Sequence, residues 1–159
     1  MVLTPVAFAF ANGIHGKLLT RYHFSGNGDV RIFRTISDLQ DAGAVLGLSE
    51  YFKGAPGRTE YPEDLHGIVL EVDGESPMRL DFDYGGQWQE SAGARSISAL
   101  VPQVNCRVTL SVEDNHGVTT SGAFCAGHLF SPYFTLKLTQ TQKGNGTIQS
   151  CLKLTPSAM

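Results

Sequence analysis

Apolar and polar residues alternate with a period of two over much of this chain. In "VNCRVTLSVED", Val104, Cys106, Val108, Leu110 and Val112 interleave with Asn105, Arg107, Thr109, Ser111 and Glu113. That spacing puts one residue set on each face of a strand, so one face is core and the other is wet. Between such segments the chain is punctuated by Asn12-Gly13, "GNG" at Gly26–Gly28, "GAPG" at Gly54–Gly57, "DGESP" from Asp73, "NHG" at Asn115–Gly117 and "GNG" at Gly144–Gly146. Many short half-buried strands separated by turn residues predict a mainly β protein built from antiparallel sheets.

Three of these breaks are triplets ending in glycine, and a three-residue hairpin loop needs its last residue in the left-handed region. Read as hairpins, they set Phe24 opposite Val30 and Tyr22 opposite Ile32. They also set Val108 opposite Phe124, Cys106 opposite Ala126, Leu138 opposite Leu152 and Leu136 opposite Leu154. Apolar meets apolar each time, and a slip of one residue would reverse it. Gly28, Gly117 and Gly146 are accordingly expected at positive φ.

One segment carries a helical signal. In "SDLQDAGAVLG", Ser37 and Gln40 form a capping-box pattern, Leu39, Ala42 and Leu46 share a side, and Gly47 can end the helix. The Pro/Gly-rich stretch from Gly54 to His66 reads as a long surface loop. The expectation is a single domain over residues 1–159, an antiparallel β-sandwich with one short helix inserted after the third strand; a β-barrel is the alternative.

Composition narrows the function classes. Charged residues make up 17% of the chain, below the roughly 25% of ordinary soluble domains, and glycine supplies 18 of 159 residues. A formal charge of −3 offers no bulk positive field for phosphates, which argues against nucleic acid. The charge is uneven: Lys17, Arg21, Arg31 and Arg34 fall in the opening strands, while most of the 15 carboxylates fall between Glu50 and Glu90. Such asymmetry can be satisfied within the fold or by a homo-oligomer. No run of about 18 apolar residues is present for a membrane helix. The opening "MVLTPVAFAFANG" lacks the basic n-region of a signal peptide, so the expected location is cytoplasmic, or outside the cell without a cleaved signal.

Candidate chemistry is sparse. No G-x-S-x-G, H-E-x-x-H, P-loop or G-x-G-x-x-G motif occurs, so no catalytic residues are assigned. The three cysteines, Cys106, Cys125 and Cys151, match no zinc spacing and are read as free thiols, with Cys106 in the core and Cys125 and Cys151 on outer faces. In "MRLDFDYGGQW", a hairpin setting Ile68, Leu70 and Val72 against Tyr84, Phe82 and Leu80 would bring Glu71 across from Asp81, with Asp83 nearby. Like charges so placed repel. Screening by Arg79 on a wet strand face is the plain answer, and a calcium ion held by Glu71, Asp81 and Asp83 is the sharper one. No other cofactor is implied.

The residues assigned to ligand binding are the aromatics Tyr51, Phe52, Tyr61 and Trp88, with Gly85 and Gly86 letting a ligand approach the backbone. His23 faces Arg31 beside Arg21, a small cationic stripe suited to an anionic head group. The leading expectation is a non-catalytic β-sandwich that binds a surface glycan or lipid head group, similar to small β-rich lectins and β-sandwich toxins at the level of fold alone. The alternatives are a β-barrel enzyme acting on a small apolar molecule, with Tyr22, Tyr84 or His128 as acid or base, and a self-assembling structural subunit.

Overall fold

The computed structural model describes residues 3–54, 68–72, 78–80, 89–92, 95–101, 105–113, 118–126 and 133–156. Within them lie β1 (Val6–Ala9), β2 (His15–Phe24), β3 (Asp29–Ser37), β4 (Val45–Gly54), β5 (Ile68–Val72) and β6 (Met78–Leu80). They are followed by β7 (Gln89–Ala92), β8 (Ser96–Val101), β9 (Cys106–Val112), β10 (Val118–Ala126), β11 (Tyr133–Lys143) and β12 (Gly146–Pro156). The strands form an eight-stranded sheet, β1-β2-β3-β12-β9-β8-β5-β6, and a four-stranded sheet, β4-β11-β10-β7. Every pairing is antiparallel. This is the expected β-sandwich.

The period-two pattern fills its interior. Phe134, Leu136 and Leu138 point from β11 toward Ile97, Ala99 and Val101 of β8 and Val108 and Leu110 of β9, each at most 3% exposed. Burying a side chain of that size removes it from water at a gain of about 1.5–3 kcal/mol. Phe52 of β4 joins this core, its ring 6.0 Å from that of Phe134. A second cluster, Ile36, Leu39, Ala44 and Leu46 with Phe8, Ile14, Leu18 and Leu48, closes the other end.

Of the three expected hairpins, only the first forms. Phe24 pairs with Val30 and Tyr22 with Ile32, and Gly28 takes φ 89° in the turn. The other two triplets lead from one sheet to the other. β9 pairs with β8 and β12, while β10 pairs with β7 and β11, so Val108 is not the neighbour of Phe124, nor Cys106 of Ala126. β11 pairs with β4 and β10, while β12 pairs with β3 and β9, so neither Leu138 and Leu152 nor Leu136 and Leu154 are paired. Leu152 instead packs against the cluster holding Leu136 and Leu138, and apolar meets apolar across the sandwich. The corner Gly144-Asn145 makes this reversal, with Gly144 at φ 69° and its amide donating to the Ala44 carbonyl at 2.9 Å. Gly146 has the expected positive φ, 157°, but at the start of β12 and not in a hairpin between paired strands, and Gly117 lies outside the described residues.

The expected helix does not form. Ser37 ends β3, residues 38–44 are a loop, and Val45–Gly47 already belong to β4. Asp38 adopts φ 52°, a left-handed conformation that breaks a right-handed helix in its first turn, and the Leu39 amide donates to Asn145 Oδ1 at 3.0 Å, which ties the loop to the distant corner. Asp41 turns the loop by accepting from the Gly43 amide at its side chain and from the Ala44 amide at its carbonyl. The buried residues are Leu39, Ala44 and Leu46, while Ala42 is exposed; the interior selects a loop and strand in place of a helical stripe.

The β5–β6 hairpin is shifted by four residues from its expected register: Ile68 pairs with Leu80, Val69 with Arg79 and Leu70 with Met78. The expected pairing of Glu71 with Asp81 falls on a residue outside the described ones.

Candidate functional site

The broader sheet extends past β4, the edge of the narrower one, and leaves part of β2 uncovered. β1 pairs only with His15–Leu18 of β2, so among the described residues no strand pairs with Leu19–Phe24 on the side away from β3. Thr20 contacts Arg34, which reaches Glu50 of the opposite sheet, so Thr20, Tyr22 and Phe24 share the inner face. Yet Tyr22 is 56% and Phe24 73% exposed. The alternate residues Arg21 and His23 face outward, paired with Phe33 and Arg31 of β3.

A groove of about 690 Å³ runs along this open half-strand. It is lined by Leu3, Thr20, Arg21, Tyr22, His23, Phe24 and Phe33, and takes side chains from both faces because it lies at a free edge. Within it the Arg21 guanidinium lies over the Phe33 ring, 5.5 Å from the centroid. The other cations of the opening strands are occupied. Lys17 binds Asp38 at 2.9 Å, Arg31 lies 3.8 Å from Glu113, and Arg34 is gripped by Glu50. Arg21 and His23 have no carboxylate partner among the described residues.

Arg34 sits beneath the groove. Its Nε and Nη2 donate to Glu50, the latter at 2.9 Å, and its Nη1 donates to Thr20 Oγ1 at 3.1 Å. The hydrogen bond to Glu50 raises its pKa above the usual guanidinium value, against the opposing effect of burial. A second cleft of about 790 Å³, lined by Phe8, His15, Lys17, Asp38 and Leu39 among others, already has its cation neutralised by Asp38.

The residues assigned from sequence do not converge. Arg21 and His23 line the groove, while Arg31, directly across from His23, is held by Glu113. Tyr51 and Phe52 are neighbours on β4 and point to opposite faces, Tyr51 62% exposed and Phe52 in the core. Tyr61, Gly85, Gly86, Trp88, Asp81 and Asp83 lie outside the described residues, as do Tyr84 and His128. Glu71, on the outer face of β5, is taken by Arg107 of β9, whose Nη1 and Nη2 both donate to it. No group of three or more metal-binding side chains occurs among the described residues.

Cys151 is the main surprise among the thiols. It faces outward, as expected, but is only 5% exposed, within the electrostatic reach of Glu113, Asp29, Arg31 and Lys153. Burial, and then the negative charges of Glu113 and Asp29, push its pKa up. Cys106 is half-buried against the core. The groove itself was only half visible in the sequence: Arg21 and His23 could be placed from register, but the lack of a strand beside Leu19–Phe24 among the described residues could not.

No protein-family model matches the chain, and no curated protein matches it. Among solved structures it is similar to the Slr1438 protein from Synechocystis sp. PCC 6803, with a TM-score of 0.63 and 11% sequence identity over 96% of this chain and 61% of that one. The likeness is one of fold alone, and the chain spans about three fifths of that protein's length. No helix among the described residues is long and apolar enough to cross a membrane.

Proposed function

We propose that the protein is a non-catalytic binding module that recognises the anionic head group of a lipid at the open edge of β2. One observation carries this reading: Arg21, over the Phe33 ring in an apolar groove, lacks among the described residues the carboxylate that Arg31, Arg34 and Arg107 each have. A cation in that setting is weakly hydrated on its ring side, and an anion supplies the missing partner through charge-assisted hydrogen bonds. His23 stands two residues along the same face, and Tyr22 and Phe24 flank it with exposed apolar surface suited to the rest of a lipid.

A glycan has less support, since Phe52 is committed to the core and away from Tyr51. An enzyme working inside a barrel also has less support, because the space between the sheets is filled by side chains such as Ile97 and Leu136, both 0% exposed.

The test is a fluorescence titration with anionic and zwitterionic lipids dispersed in neutral detergent, beside a glycan array on the same sample. The reading expects saturable binding of the anionic lipid alone, lost in Arg21→Glu, and a silent array. Glycan binding that survives Arg21→Glu, or no binding in either format, would contradict it.

A further inference from the structure

Resting on that reading, we infer that the groove takes one monomeric, single-chain anionic amphiphile, such as a fatty carboxylate, rather than a membrane surface. Its anionic head would sit between Arg21 and His23, and its chain would lie along Leu3, Tyr22, Phe24 and Phe33.

Three observations separate these two sources of the same head group. The groove's volume of about 690 Å³ is that of a site for one small molecule. Its polar groups, the Arg21 guanidinium and the His23 imidazole, lie on the outer face of β2, and its exposed apolar surface on the inner face, with Tyr22 and Phe24, so a ligand crossing the edge must be polar at one end and apolar along the rest.

The surroundings are also wrong for a membrane. The cations around it are paired, Arg34 with Glu50, Arg31 with Glu113 and Lys153 with Asp29, and the chain carries −3 overall. Arg21, the one cation of the groove without a carboxylate partner among the described residues, strengthens binding to an anionic bilayer by only about fivefold. Each methylene buried in an apolar groove is worth about fourfold, so a chain of ordinary length outweighs it.

Calorimetry with decanoate, dodecanoate and tetradecanoate below their micellar concentrations tests this, alongside sedimentation with phosphatidylglycerol vesicles. The expected result is 1:1 binding that tightens about fourfold per methylene until the groove is filled, with no sedimentation. Arg21→Gln should weaken every member about tenfold or more, by loss of a charge-assisted bond. Phe24→Ala, at a residue already 73% exposed in the folded protein, should weaken tetradecanoate more than decanoate. Vesicle sedimentation without carboxylate binding, or with it, would overturn the inference while leaving the lipid reading in place. Silence in both would overturn the two together.

Discussion

Glu50 of β4 and Arg34 of β3 join the two sheets through the interior: Arg34 Nη2 donates to Glu50 Oε2 at 2.9 Å, its Nε holds the other oxygen, and the Glu50 side chain is 8% exposed. The pair lies where the narrow sheet ends and the broad one continues toward the groove. Because Arg34 also donates to Thr20, which lines the groove, the same contact sets the position of β2's open edge.

Removing one member of this pair should cost more than removing both. Glu50→Ala strands the Arg34 charge and should destabilise by about 3 kcal/mol, whereas Arg34→Met with Glu50→Leu should stay within about 1 kcal/mol of the parent. Urea denaturation of the three proteins measures the difference. Equal losses in the single and double variants would show that the pair is not coupled.

The thiols give a pH-dependent outcome. Cys151 is held protonated by its burial, so the folded state binds its proton more tightly than the unfolded state does. Its contribution is fully present below the ordinary thiol pKa of about 8.5 and is lost as pH rises from there through the elevated folded value. Cys151→Ala should flatten the alkaline decline in Tm. Native-state maleimide labelling should reach Cys106 before Cys151, which is 5% exposed; the reverse order would mean that the charged cover over Cys151 opens readily.

Two glycines should respond differently to a methyl group. Gly28 is at φ 89°, where a β-carbon would meet only the Leu154 carbonyl oxygen at 3.9 Å, so Gly28→Ala costs only the left-handed backbone penalty of about 1–2 kcal/mol. At Gly144, φ 69°, a β-carbon would also lie 2.8 Å from the Ala42 carbonyl oxygen. Gly144→Ala should therefore be clearly the more destabilising in a thermal melt, and comparable losses would show that the corner yields easily.

The strands were legible in the sequence because burial of one face imposes alternation, as in β9 and β11. The β2–β3 register was legible too, since turn chemistry and the pairing of Tyr22 with Ile32 agree. The partner of each strand was not. Leu136 and Leu138 meet apolar residues equally well whether β12 lies beside β11 or across the core from it, and a glycine turn permits both. The false helix has a similar origin: Ser37, Leu39, Gln40 and Leu46 satisfy a helical pattern locally, but Asp38 turns left-handed at φ 52° and Asn145, 106 residues from Leu39, fixes the resulting loop. The groove depends on an absence, that no strand among the described residues pairs beside Leu19–Phe24, and alternation carries no signal for that.

An amide NMR titration with dodecanoate addresses the central claim most directly, because it reports where an anionic amphiphile binds as well as whether it does. The account predicts saturable shifts concentrated at Leu3, Arg21–Phe24 and Phe33, absent in Arg21→Gln, with Tyr51 and the β4 edge unmoved. Shifts centred on β4 or β8, or a spectrum unchanged at millimolar dodecanoate, would contradict it.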